Sequence, residues 1–304
     1  MTHDLQTLAA TLQQDAALCP EQLMLGLADC RLRIRSNSPE LIHQLGDYFD
    51  FVRSNDDIAD IEVIAIDSDV LDTGIDFIDW AREPGKTGRK DAYHDLPGAR
   101  LVYKVRTGML FLQSETLRIA AGPCRQYDNQ VINFINSQYM NWLQQRDWLI
   151  CHAAALCAGN RGVVMAGFSG GGKSTLMLHM LATPQQLQRW DSMATDELWH
   201  LEEKYDVPVA RVYGDDRIRL DGPLTSLLIL NWRRDSDATP SLERVDLDER
   251  TDLLAAVMKS PGPFYQYADG RFFSDGTPFD EGAYLQALAG IPAYEVTGGI
   301  DFGA

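Results

Sequence analysis

Positive charge is what this sequence has least of. Lys and Arg total 27 against 44 Asp and Glu, a formal net charge of −17. A chain with that field does not bind polyanions at large. General nucleic-acid binding and binding to anionic membranes are therefore excluded, although a local anion site is not. Cysteine is scarce too: Cys19, Cys30, Cys124, Cys151 and Cys157 are scattered and odd in number. No CxxC pair or metal-ligand spacing links them, so they read as reduced thiols of a cytosolic protein. No apolar run approaches the ~20 residues of a membrane span. The polar, acidic start, MTHDLQTLAATLQQDAALCPEQ, does not read as a signal peptide. Internal repeats and low-complexity tracts are missing as well. What remains is ordinary globular composition, 45% apolar and 23% charged, in 304 residues. At ~150 residues per domain, that length suggests two domains.

Patterning divides the chain near Arg146. In the first block, Asp4–Leu18 reads as an amphipathic helix and Leu25–Arg35 alternates as a half-buried strand does. Ser38 before Pro39 and Glu40 resembles an N-cap, with a helix running to about Phe51. Asp60–Ile66 is a strand, and Asp67–Asp95 reads as strand fragments and long loops. Arg100–Val105, Met109–Gln113 and Leu117–Ala121 form a three-strand meander with turns at Thr107-Gly108 and Ser114-Glu115. Asp128–Gln145 has helical apolar spacing and reads as a bridging helix at the boundary. In the second block, strands are expected at Trp148–Cys157, Gly162–Gly167, Met193–Thr195, Val207–Val212 and Ser226–Leu230. Helices are expected at Thr175–Ala182, Asp248–Met258 and Phe279–Ala289. The resulting division is an N-terminal α+β domain over 1–146 and an α/β domain over 147–304.

One motif carries chemistry. Gly167-Phe168-Ser169-Gly170-Gly171-Gly172-Lys173-Ser174 fits GxxxxGK[ST] at every fixed position. An apolar strand leads in and a helical pattern beginning at Thr175 leads out, which is the context a phosphate loop needs. Consecutive glycines let backbone N–H groups converge on phosphate oxygens, and the following helix adds its N-terminal dipole. Lys173 supplies a positive charge near the β/γ phosphates, and the Ser174 hydroxyl can ligate Mg²⁺. A Mg²⁺-nucleotide site also needs an acid at a strand end. Asp191, Asp196 and Glu197 are the candidates, and Asp196, at the end of Met193-Ala194-Thr195, is favoured. With two adjacent acids, one can order the metal while the other accepts a proton.

The strand before the loop is informative. Trp148–Cys157 and Gly162–Gly167 are joined by only four residues, too few for a parallel crossover, so they form an antiparallel hairpin. Pairing Ala158 with Gly162 sets His152 opposite Phe168, beside the mouth of the loop. There it is either a phosphate or acceptor contact or a satisfied strand histidine.

Cys151-His152-Ala153-Ala154-Ala155, the hairpin, G-x-S-G-x-G-K-S and an acid pair some 20 residues on together resemble the catalytic domain of bacterial HPr kinase/phosphorylase and the HPr-kinase-related proteins. The resemblance covers Leu149 to Ser260. It implies a P-loop fold of the HPr kinase/phosphoenolpyruvate carboxykinase type, a mixed sheet whose antiparallel hairpin feeds the loop. It also implies that residues 167–175, Gly167 through Thr175, bind ATP phosphates and that Ser174, Asp196 and Glu197 hold Mg²⁺. Asp196 would be the general base toward an acceptor hydroxyl, His152 would line the site, and a homo-oligomer is implied. The chain departs from the family in three places. Asp196-Glu197 stands where the family has two aspartates. Arg211–Asp221 lacks the glycine- and arginine-containing segment linked to phosphorolysis, leaving Arg217 or Arg219 as candidate transition-state cations beside a reading as surface arginines. The first block is unlike the family's regulatory domain. A kinase with an acceptor other than HPr, protein or small molecule, fits better.

Other runs have blander readings. Trp232-Arg233-Arg234-Asp235 is a solvated loop or an acid-binding run. Phe264-Tyr265-Gln266-Tyr267 with Phe272-Phe273 is packing of the C-terminal segment or a stacking surface. The competing functions are a motor-type ATPase, disfavoured by the hairpin and the missing LSGGQ signature, and a GTP switch, disfavoured by the missing NKxD run. A nucleotide-binding regulator without phosphotransfer is the remaining alternative to the kinase.

Overall fold

The computed structural model describes residues 4–81, 88–168, 171–182, 207, 209–214, 217–233 and 236–300. It is a mixed α/β protein with two mixed sheets among the described residues. The chain divides into two compact units, residues 1–149 with 260–278, and residues 150–259 with 279–304. The expected boundary after residue 146 lies three residues before the break at Leu149. Residues 260–278, expected in the second domain, pack with the first unit.

In the first unit, eight strands form one sheet: β1 (Gln22–Leu27), β2 (Cys30–Ser36), β3 (Ile61–Asp67), β4 (Ile78–Asp79), β5 (Asp91–Leu96), β6 (Ala99–Lys104), β7 (Leu110–Ser114) and β8 (Arg118–Gly122). Their spatial order is β1-β2-β3-β8-β7-β6-β5-β4. The pairs β2/β3 and β3/β8 are parallel, and the other neighbours are antiparallel. Three helices accompany it, α1 (Leu5–Gln13), α2 (Pro39–Tyr48) and α3 (Asp128–Gln144). Period-2 alternation sends neighbouring residues to opposite faces. Val63, Val102, Phe111 and Ala120 join a core with Leu41 and Leu45 of α2 and Phe134 and Ile135 of α3. Ile66, Leu101, Leu110, Leu112 and Ile119 join a second core with Leu8 and Leu12 of α1. Both faces of the sheet are therefore covered.

Local signals explain the element ends. The Ser38 side chain accepts from the Leu41 N–H at 3.2 Å, the N-cap expected for α2, with Pro39 in the first turn. That helix stops at Tyr48, and the chain to Val52 is a 3₁₀ turn. The single strand expected over Leu25–Arg35 is two strands, a hairpin turning at Ala28 (φ 51°). The sign of that turn is a phase slip: the core residues are 23, 25 and 27, then 30, 32 and 34.

Residues 260–278 are fastened to the first unit by Arg100 on β6, which is 2% exposed. Its guanidinium bonds Asp95 at 2.6 and 2.9 Å, the Phe273 carbonyl at 2.8 Å and the Pro263 carbonyl at 3.2 Å. It also lies over the rings of Tyr93 (4.5 Å) and Phe272 (4.7 Å). Phe264 packs between Phe111 (5.6 Å) and Phe134 (5.1 Å), and Asn141 donates to its carbonyl at 2.7 Å. The aromatic cluster is thus packing, as the blander reading had it, but in the first unit's core.

The second unit is a five-stranded sheet of β9 (Ala153–Ala158), β10 (Arg161–Gly167), β11 (Ser226–Leu230), β12 (Ser241–Val245) and β13 (Ala293–Thr297), in the order β12-β13-β11-β10-β9. The inner strands β13, β11 and β10 run parallel, and the edges β9 and β12 are antiparallel to their neighbours. Helices α4 (Lys173–Leu181), α5 (Val209–Tyr213), α6 (Thr251–Leu254) and α7 (Glu281–Leu288) complete the described part. Gly162 lets β10 run against residues 223–225: a Cβ there would sit 1.7 Å from the Pro223 carbonyl oxygen.

Two expectations fail here. Val207–Val212 was expected as a strand, but residues 209–213 are helical, and Val209, Val212 and Tyr213 have the i, i+3, i+4 spacing of a helix. The helix expected over Asp248–Met258 is only the four residues of α6. Residues 257 and 258 are drawn off to the chain before β9, where His152 N–H donates to the Val257 carbonyl at 2.9 Å and Cys151 bridges Met258. Met193–Thr195 lies outside the described residues.

All five cysteines are unpaired. Burial pushes the Cys30 thiol up to about 12 and raises that of Cys124 as well, which makes both poor nucleophiles. No helix among the described residues is long and apolar enough to cross a membrane.

Candidate functional site

The glycine-rich run lies in the second unit, between β10 and α4. Its lead-in is the antiparallel hairpin that the short connection requires, with Ala158 opposite Arg161 and Ala153 opposite Ala166. The register differs by one residue from the pairing of Ala158 with Gly162. His152 accordingly does not pair with Phe168. It precedes the last ladder pair, and its backbone N–H turns to Val257 instead. The strand expected from Trp148 begins only at Ala153 because residues 150–152 bond to other partners. The Ile150 carbonyl accepts from the Tyr284 hydroxyl at 2.5 Å.

β10 ends at Gly167, whose parallel partner on β11 is Leu230. A Cβ on Gly167 would approach the Leu230 carbonyl oxygen to 3.0 Å, so a larger residue there would push the loop off the strand. Phe168 follows with its ring half exposed. Gly171 N–H donates back to the Phe168 carbonyl at 3.0 Å, and a Cβ on Gly171 would meet that oxygen at 3.0 Å. Gly172 takes φ 79°, a left-handed conformation, and starts α4 with no side-chain cap. The backbone N–H groups of Lys173, Ser174 and Thr175 therefore have no acceptor within the helix. The Ser174 and Thr175 side chains are exposed at the same end.

Lys173 folds back over the loop. Its Nζ donates to the Gly167 carbonyl at 2.8 Å and the Phe168 carbonyl at 3.2 Å. An ammonium has three N–H donors, so one remains for an anion. Partial burial lowers the Lys173 pKa from its ordinary value, the mark of a desolvated ammonium that gains from a nearby negative charge. This cradle fits a phosphate group: glycines stand where a Cβ would crowd, N–H groups are free at a helix start, and one ammonium N–H is spare.

One bracing residue escaped the sequence reading. Trp232, two residues beyond β11, donates from Nε1 to the Gly171 carbonyl at 2.8 Å. It fixes the orientation of that peptide and is not the solvated loop residue expected of the Trp232–Asp235 run. The signal for it is positional, a Trp just past the strand that pairs with β10. Next to it, Asn231 donates to Glu295 at 2.7 Å, and Arg250 holds Glu295 at 2.9 Å and Asp252 at 2.9 Å. The Arg250 guanidinium holds the Glu295 carboxyl below its ordinary range. That acid is thereby committed to tying β13 to Asn231, just past β11, and to Arg250.

Gly167, Phe168, Gly171, Gly172, Lys173, Ser174 and Thr175 are thus brought together at one strand-to-helix junction. Ser169 and Gly170, and the candidate acids Asp191, Asp196 and Glu197, lie outside the described residues. Arg217 and Arg219 are exposed between α5 and β11. Among the described residues no group of three or more His, Cys, Asp or Glu could hold a metal ion. No protein-family model matches this chain, and no curated protein matches it.

Proposed function

We propose that the second unit is an ATP-dependent phosphotransferase, similar to the HPr-kinase-related kinases, that transfers the γ-phosphoryl group to a hydroxyl of a protein or small-molecule acceptor. The observation that carries this reading is Lys173, folded over the loop with one N–H to spare beside the unpartnered N–H groups at the start of α4.

The N–H groups of residues 172–175 hold phosphate oxygens, and Lys173 neutralises charge as it passes from the acceptor to the leaving ADP. Ser174 and the Asp196/Glu197 pair would hold Mg²⁺, which would draw charge off the phosphates. Asp196 takes the acceptor's hydroxyl proton while the acceptor oxygen bonds to the γ-phosphorus and the bond to the β–γ bridging oxygen breaks. His152, at the head of β9, lines the acceptor side. Trp232 keeps the Gly171 peptide turned so that its carbonyl faces the indole and not the anion.

The test is transfer of label from γ-labelled ATP to components of a host lysate, with wild-type and Asp196→Asn protein side by side. The kinase reading expects a labelled acceptor that disappears with Asp196→Asn. ATP binding without any labelled acceptor would instead establish a nucleotide-binding regulator, and acceptor-independent release of phosphate an ATPase.

A further inference from the structure

The first unit contains a polar cavity of about 340 Å³ that neither the phosphate loop nor the fold requires. Its floor is the end of β7 and the start of β8, one wall is the second half of α3, and residues 266–270 form another. Three side-chain atoms in its lining, Gln113 Oε1, Gln138 Nε2 and Trp142 Nε1, are buried and make no hydrogen bond among the described residues. Gln113 is 2% exposed and Gln138 1%. Each such atom costs about 1–3 kcal/mol when left unsatisfied, and three around one cavity are more than packing explains.

Neither amide can turn to relieve itself, because its other half is held. Gln138 Oε1 accepts from Arg118 Nε at 3.1 Å, and Gln113 Nε2 donates to the Ser114 carbonyl at 3.3 Å. The Trp142 ring is stacked on Tyr139 at 6.2 Å and covered by the Arg146 guanidinium at 3.9 Å, which leaves its N–H edge to offer. Arg118, held by Gln138 and by the Glu115 carbonyl at 2.9 Å, brings a positive charge into the same lining. The unmet groups are thus two neutral donors and one acceptor around a guanidinium. The carboxylates of Asp60 and Glu115 are exposed and stand at the rim.

We propose that this cavity binds a small monocarboxylate that also carries a hydroxyl or amino group. The carboxylate takes the donors of Gln138, Trp142 and Arg118, and the hydroxyl or amine donates to Gln113 Oε1. The rim acids and the net charge of −17 turn away polyanions such as nucleotides, and the volume limits the occupant to a small molecule. Residues 260–278 supply one wall of the cavity, which gives the excursion of the chain into the first unit a purpose beyond packing. The inference is independent of the phosphotransferase reading.

Ligand-observed NMR on the full chain tests it, with glycerate and serine as probes. Glycerol, which lacks the carboxylate, and propionate, which lacks the hydroxyl, are the controls. Glycerate or serine is expected to bind more tightly than either control. Trp142→Phe, which removes only the N–H, should weaken that binding about tenfold, the worth of one hydrogen bond to a charged group. Gln138→Glu, which turns a donor into a carboxylate beside Arg118, should abolish it. Lys173→Ala should leave it unchanged. The proposal is overturned if no carboxylate probe binds wild type at about 10 mM, if the controls bind as well as the probes, or if Trp142→Phe binds with wild-type affinity.

Discussion

The two units spend their residues differently. In the first, every residue of β7 is buried, every residue of β3 is buried or half-buried, and both faces of the sheet are covered. In the second, β9 has no buried residue, and neither does α4, although both flank the glycine-rich loop. The contrast agrees with the proposed phosphate site in the second unit. A loop that offers backbone N–H groups to an anion has to keep them accessible, so the elements that carry it cannot be sealed on all sides. The first unit's polar cavity lies between a sheet end, a helix and a returning segment. The second unit's glycine-rich loop is open at a helix start.

Mutations that strike one unit and spare the other sharpen this contrast. Gly162→Ala should have the largest effect, because its Cβ overlaps the Pro223 carbonyl oxygen at 1.7 Å. We expect a loss of about 4 kcal/mol, read as the second unit's transition moving to lower denaturant while the first unit's stays. Arg100→Met does the converse. It leaves the carbonyls of Pro263 and Phe273 unpaired, costs about 3 kcal/mol, and should destabilise the first unit without changing nucleotide affinity. Lys173→Ala should lower ATP affinity about a hundredfold, the range of a charged hydrogen bond to phosphate, and leave both unfolding transitions in place. Ser38→Ala removes the α2 cap and should cost about 1 kcal/mol in the first unit alone.

Acid separates the units more gently. Arg250 holds the Glu295 carboxyl below its ordinary 4.5, so the folded state binds that proton less readily than the unfolded chain. The resulting stability is present above pH 4.5 and is lost as pH falls through the lowered folded value. Glu295→Gln should flatten that part of the second unit's acid-unfolding profile and leave the first unit's unchanged.

The legible parts of the sequence were those set by near neighbours. Ser38-Pro39-Glu40 marked its cap, the meander strands β6, β7 and β8 had their turns marked by residues 107–108 and 114–115, and four residues forced the β9–β10 hairpin. The glycine-rich run stood out in the sequence because its pattern is local, a strand, a turn and a helix start in consecutive residues. What escaped depends on distant partners. β13 carries Glu295 inside a five-residue strand, which hides its alternation, and it is a strand because β11 and β12 pair with it. Residues 248–258 have helical spacing, but residues 257 and 258 are claimed by the chain before β9. The return of residues 260–278 to the first unit depends on a buried arginine 160 or more positions earlier in the chain. Trp232 escaped because its role needs β11 placed beside β10.

The central claim is that Gly167 to Thr175 form a nucleotide-phosphate site in which Lys173 is the decisive charge. Calorimetric titration of the full chain with ATP and Mg²⁺, wild type against Lys173→Ala, tests it most directly. The account predicts saturable binding of one ATP per chain by wild type and a loss of about a hundredfold in the variant. Equal affinity in the two proteins, or no binding by wild type, would contradict it.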